Sequence, residues 1–239
     1  MFLNSGLTLA LDRIAERAAD VRRAYAPGAV PQYDDVATPA PSSTFTLDPL
    51  SVAAPDGEYF VSVDEQGRRL YTRDGSFALR GGTLVDSAGN AVLGRSSATG
   101  SLNQLRVDAV DEALGRVDDA AIEPDGRLVY RRKTIEPRSG RRESQRVVVG
   151  RIVLARFPAA TRLETAGGGG VAPEGVAPQI GFAAQGDFAA LAPMQRERSR
   201  VDLDESLIRL KEAYVAFDAL QAAEFAKGRL GKTAMDLLK

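Results

Sequence analysis

The side chains best suited to chemistry in this sequence are carboxylates and arginines. Asp34-Asp35 and Asp118-Asp119 are adjacent acidic pairs, the raw material of an acid–base couple or a divalent-cation site. Both lie in polar stretches, where Asp commonly serves turns and solvation, so neither is read as catalytic. A basic stretch, Arg131-Arg132-Lys133, Arg138, Arg141-Arg142 and Arg146, has the residue types that contact phosphates. Glu136 and Glu143 interleave it, Ser139-Gly140 marks a turn, and Tyr130 is the one aromatic residue beside it. Nucleic-acid readers need stacking platforms, so a solvated hairpin is expected. Gly167-Gly168-Gly169-Gly170 lacks the Lys-Ser/Thr and the helix start of a phosphate loop and is read as a flexible loop.

The chain has no His and no Cys. That excludes Ser-His-Asp hydrolysis, a thiolate nucleophile, disulfides and thiolate-bound metal. The expectation is a protein that is not an enzyme, with no catalytic residue, no cofactor and no metal.

The elements that would position any site follow from periodicity. The chain is 239 residues long, 44% hydrophobic and 26% charged, with a net charge of −1. It can bury a real core and has no overall pull toward nucleic acid or anionic lipid. No apolar run approaches the roughly 18 residues of a membrane span, and Met1 to Leu11 carries no basic residue before its apolar ones. Neither membrane insertion nor a cleaved signal peptide is expected.

Leu7, Leu11, Ile14, Ala18, Val21 and Tyr25 step alternately by four and three, as do Leu203, Leu207, Leu210, Tyr214 and Phe217. A repeat averaging about 3.5 keeps one seam facing a partner helix, within the chain or on a neighbour. Asn4 or Ser5 is expected to cap the first helix, and Asp202 with Glu205 has capping-box spacing at the second. The second helix is expected to reach about Lys227, with Gly228 and Gly231 loosening it. Between the helices the period changes to two, with turns expected at Asp56-Gly57, Gln66-Gly67, Asp74-Gly75, Gly81-Gly82 and Gly89-Asn90. Val147 to Leu154 is the most apolar strand and is expected to be central. The fold class is therefore α+β: long N- and C-terminal helices pairing as a coiled-coil-like layer, with a central antiparallel β domain of irregular barrel or sandwich form. The domains are a helix over 1–26, an extended Pro-rich arm over 27–48, the β domain over 49–198 and a helix over 199–239.

Three segments in order carry a resemblance: Pro49 to Ala53 followed by Gly57-Glu58-Tyr59-Phe60-Val61, then Tyr71-Thr72-Arg73-Asp74-Gly75-Ser76-Phe77, then Leu84-Val85 through Gly89 to Val92-Leu93-Gly94. Ser199-Arg200-Val201-Asp202-Leu203 and Tyr214 to Asp218 add to it. The chain resembles the axial proteins of the bacterial flagellum, in particular the basal-body rod and hook family. It departs from their pattern by having no Asn over Glu16–Tyr25, by Arg200 and by Val215, as a diverged member would.

The resemblance implies a structural rod subunit that polymerises into a hollow helical drive shaft transmitting torque to the hook. The terminal helices would line the channel and the β domain would lie outside them. Implied partners are further copies of the chain, other rod and hook axial proteins and the flagellar type III export apparatus, with no nucleic acid. The implied place is the periplasmic rod. The two seams would form the assembly interface, ordering fully only on assembly, and the basic stretch would be free to meet a neighbouring subunit or an acidic ring. Gly57, Phe60, Tyr71, Thr72, Arg73, Gly75, Phe77, Gly89 and Gly94 would be the family positions of the β domain. The alternatives are a hook-type subunit of the same family, and a soluble β-domain binding module with a helical dimerisation stalk.

Overall fold

The computed structural model describes residues 3–26, 28–29, 31, 42–135, 142–158, 161–166 and 169–236. Asp34-Asp35, Arg138, Ser139-Gly140, Arg141, Gly167-Gly168 and the last apolar pair, Leu237-Leu238, lie outside them. The chain divides into two units, Met1–Ala40 with Ser199–Lys239, and Pro41–Arg198. The class is α+β, with terminal helices packed on each other and a central antiparallel β half-barrel.

In the β unit the fifteen-residue strand Arg142–Arg156 is the hub. It pairs antiparallel with Glu58–Val63, Ala91–Ser96, Arg127–Ile135 and Gln179–Phe182. Its sequence explains this position. Ile152 and Leu154 belong to a core cluster with Val52, Phe60, Phe77, Leu84 and Leu128, while Val153 and Ala155 belong to a second cluster with Val61, Tyr71 and Leu93. Successive side chains point to opposite faces of a strand. A strand covered on both faces therefore reads as a near-continuous apolar run, as Val147 to Leu154 does apart from Arg151.

The hairpin signals hold at most of their positions: Gly57, Gly67, Gly81, Gly82 and Gly89 all have positive φ. Gly75 is a correction. Its φ is not positive; instead the Val52 N–H donates to the Gly75 carbonyl at 3.0 Å, and a Cβ on Gly75 would sit 1.8 Å from the Val52 oxygen. Close backbone approach, rather than a turn, requires glycine there. Residues assigned to the Pro-rich arm also contribute structure, since Ser43–Phe45 is a strand paired with Gln195–Glu197.

In the helical unit, α1 is Leu3–Arg23; a five-residue α2, Ala109–Ala113, belongs to the β unit; α3 is Leu203–Asp236. Asn4 and Ser5 lie within α1, after its first residue. At its other end Arg22 and Arg23 donate to the carbonyls of Ala18 and Ala19, one turn back, at 3.1 and 3.3 Å, and place positive charge at the negative end of the helix. Asp202 caps α3, its Oδ1 accepting the Glu205 N–H at 3.0 Å. The reciprocal half of the capping box is absent, because Glu205 Oε1 accepts from Arg209 at 2.8 Å, one turn on. Nor do Gly228 and Gly231 end α3, which continues to Asp236. Glycine costs about 1 kcal/mol against Ala in a helix, and the Ala, Leu, Lys and Arg around these two outweigh it.

Candidate assembly interface

α1 and α3 pack on each other. The Ser199 hydroxyl donates to the Arg23 carbonyl at 3.2 Å and the Arg200 N–H to the Ala29 carbonyl at 2.8 Å, so the end of α1 meets the start of α3. The pair is therefore antiparallel. α3 has 34 residues and α1 has 21, so α3 is longer by about 20 Å at 1.5 Å per residue.

The two seams meet in part. Leu7, Ile14, Ala18 and Val21 of α1, and Leu203, Leu210 and Phe217 of α3, are buried or half-buried. Among the small side chains buried or half-buried in this unit are Ala10 in α1, Ala24 just past its end, and Ser206 and Ala213 in α3. The remaining seam residues face outward. Leu11 is 52% exposed, Tyr25 82%, Leu207 46% and Tyr214 51%. The physical reason is steric, since an Ala or Ser row lets two helix backbones approach more closely than a Leu or Tyr row does. The small row, one position away from Leu11, Tyr25, Leu207 and Tyr214, was not singled out from sequence; exposure of the larger residues in the single chain is what an inter-subunit seam requires.

As a result α3 is apolar on more than the side that meets α1. Leu207, Tyr214 and Phe225 share one flank by helical spacing, and Ile208 with Val215 share another; all five are exposed. Leu220 and Leu230 are exposed as well. Charged residues such as Asp204, Lys211, Glu212 and Asp218 are interspersed with them and exposed as well.

The nine positions that carry the resemblance all fall in the β unit, where they build its fold. Phe60 and Phe77 meet edge-to-face with ring centroids 5.0 Å apart, and Tyr71 meets Phe157 the same way at 4.9 Å. The Thr72 hydroxyl accepts the Asp74 N–H at 3.0 Å. Gly57 and Gly89 have φ of 74° and 92°. A Cβ on Gly94 would lie 2.5 Å from the Arg151 carbonyl oxygen. Arg73 is the centre of the group. Its buried guanidinium donates to Glu197 at 2.7 Å and to the carbonyls of Ala54, Pro55 and Glu58 at 3.4, 3.1 and 2.9 Å. Glu197 was not singled out from sequence, and no local signal marks it.

The described cations of the basic stretch are paired with carboxylates, two of them with the acidic pair Asp118-Asp119. Arg131 lies 3.8 Å from Asp119, Lys133 binds Asp118, Arg132 binds Asp111, and Arg146 reaches Glu123 at 2.6 Å. The hydrogen bond from Lys133 holds the Asp118 carboxyl below the usual carboxylate range despite some burial. Asp111 is buried at the start of α2, where Asp108 accepts its N–H, and it takes a 2.5 Å bond from the Tyr130 hydroxyl. Burial alone would raise its pKa; the bonds from Tyr130 and Arg132 outweigh that and hold it low. Among the described residues no group of His, Cys, Asp and Glu is arranged to hold a metal ion, and no helix is long and apolar enough to cross a membrane.

No protein-family model and no curated protein matches this chain.

Proposed function

We propose that this protein is a structural subunit of the bacterial flagellar basal-body rod, polymerising in the periplasm into the shaft that turns the hook. The observation that carries the reading is α3: a helix 34 residues long whose Leu207, Ile208, Tyr214, Val215 and Phe225 are exposed. Burying side chains of this kind stabilises by roughly 1.5–3 kcal/mol each, so packing against neighbouring subunits would add substantially to the burial that the helix pair achieves alone. Contacts that repeat without closing build a helical filament. The three ordered segments between Pro49 and Gly94 support membership of the rod and hook family, and a hook-type subunit uses the same chemistry.

A dimeric binding module is the competing reading, in which the exposed helix faces close on one partner. Sedimentation of the purified chain over a range of concentrations separates the two. A rod subunit stays monomeric or grows into open-ended polymers as concentration rises. A closed dimer of fixed mass at every concentration contradicts the rod assignment.

A further inference from the structure

The β unit holds a cavity of about 210 Å³ that neither the helix pair nor the positions that carry the resemblance account for. Its defining feature is a row of three arginines across three neighbouring strands. Arg151 is the cross-strand partner of Arg95 on one side and of Arg127 on the other, and all three line the cavity. Like charges directly opposite one another in a sheet repel, so such a row calls for anions. The structure supplies one: Asp125 lies 3.0 Å from Arg127 Nε and 3.0 Å from Arg151 Nη2. Arg95 has no carboxylate partner among the described residues; its guanidinium lies over the Phe182 ring, 4.5 Å from the centroid. That stacking fixes the plane of the fork and leaves its N–H groups available. Three guanidinium charges against one carboxylate leave a local excess of two positive charges.

We propose that this row is a binding site for a doubly charged oxyanion, a phosphate or a small phosphomonoester. The guanidinium fork matches phosphate oxygens bidentately, and a phosphomonoester carries about −1.5 to −2 at neutral pH, which balances the excess. Ser97 and Gln185 on the rim add neutral donors. The volume is smaller than the roughly 300–1,000 Å³ of pockets for drug-sized ligands. It admits a phosphoryl group with a few carbon atoms. The basic stretch over 131–146 attracts attention in the sequence, yet its described side chains are paired; the uncompensated charge sits at Arg95, Arg127 and Arg151, which are far apart along the chain.

The test is a titration of the isotope-labelled full-length chain with inorganic phosphate, methyl phosphate and acetate at constant ionic strength, read at the backbone amides of Ser97, Arg127 and Arg151. Phosphate is expected to give saturable shifts there in the millimolar range or below, with acetate far weaker. Arg95→Gln, an exposed change that leaves the rest of the spectrum intact, is expected to weaken phosphate binding about tenfold or more, and Arg127→Gln likewise. Methyl phosphate binding at least as well as phosphate supports an organic ester as the ligand; markedly weaker binding supports the free ion. No saturable shift in the parent chain, an unchanged response in Arg95→Gln, or acetate binding as tightly as phosphate overturns the proposal.

Discussion

Arg73 and Glu197 are 124 positions apart in the sequence and meet at 2.6 Å in the β unit, both side chains almost fully buried. The pair ties the segment Tyr71 to Phe77 to the strand Gln195–Glu197, the last strand before α3. Removing one partner of a buried ion pair strands the other charge, which costs about 3–5 kcal/mol. Glu197→Gln and Arg73→Met are each expected to lower the stability of the chain in urea by that order. The double variant Arg73→Met/Glu197→Leu is expected to be less destabilised than the sum of the single changes, because no charge is left unpaired. Additive losses would show that the two residues act separately.

Gly75 makes a sharper steric test. A methyl group there would fall 1.8 Å from the Val52 carbonyl oxygen and 2.9 Å from the Phe60 ring. Gly75→Ala is expected to cost about 3 kcal/mol or more, since both obstacles are core or backbone atoms. Gly57→Ala, where φ is 74° and the space is open, is expected to cost only about 1–2 kcal/mol. Denaturant midpoints of the two variants compare these directly; equal losses would refute the close-approach role of Gly75.

The legibility of the fold followed the kind of signal each element carried. Val147 to Leu154 announced a central strand because a run of that length, apolar but for Arg151, has few other uses. Most hairpins were marked by glycines whose positive φ is a local requirement. Gly75 was misread because close approach and positive φ both select glycine, and only the position of Val52 separates them. The helices were plain from their periodicity, but a 3.5-residue repeat fits two adjacent rows equally well. The burial of Ala10, Ala24, Ser206 and Ala213 depends on how closely the backbones approach, which no local pattern records. Glu197 and the arginine row at 95, 127 and 151 were invisible for the same reason, since strand register brings them together.

The acid limb of stability should depend on Asp111. Its folded pKa lies below the usual value of about 3.9. As pH falls through the ordinary carboxylate range, the unfolded chain takes up a proton there first. The stability contributed by Asp111 is thus complete above about pH 4 and is lost as pH drops through the lower folded value. Asp111→Asn is expected to flatten the stability profile over this acid window. Tyr130 works at the other extreme. Burial, reinforced by the Asp111 carboxylate, raises its pKa, so its contribution is lost as pH rises through a folded value above 10. Tyr130→Phe is expected to remove that alkaline loss. A profile unchanged in both variants would count against the buried network.

The two rows of the helical unit should separate stability from assembly. Leu207 and Tyr214 are exposed in the single chain, so Leu207→Ser/Tyr214→Ser is expected to change monomer stability by no more than about 0.5 kcal/mol per site while abolishing polymerisation. Ala213→Leu enlarges a half-buried small side chain and is expected to loosen the helix pair at a cost of about 1–3 kcal/mol. Far-UV circular dichroism and light scattering on the same samples report the two effects. Polymerisation surviving the outer-row change would place the interface elsewhere.

Electron cryotomography of motile cells lacking this gene, complemented with the parent sequence or with Leu207→Ser/Tyr214→Ser, tests the rod assignment most directly. The rod reading predicts basal bodies with rings but a truncated rod and no hook in the deletion, restored by the parent sequence and not by the double variant. Complete rods, hooks and normal swimming in the deletion strain would contradict it.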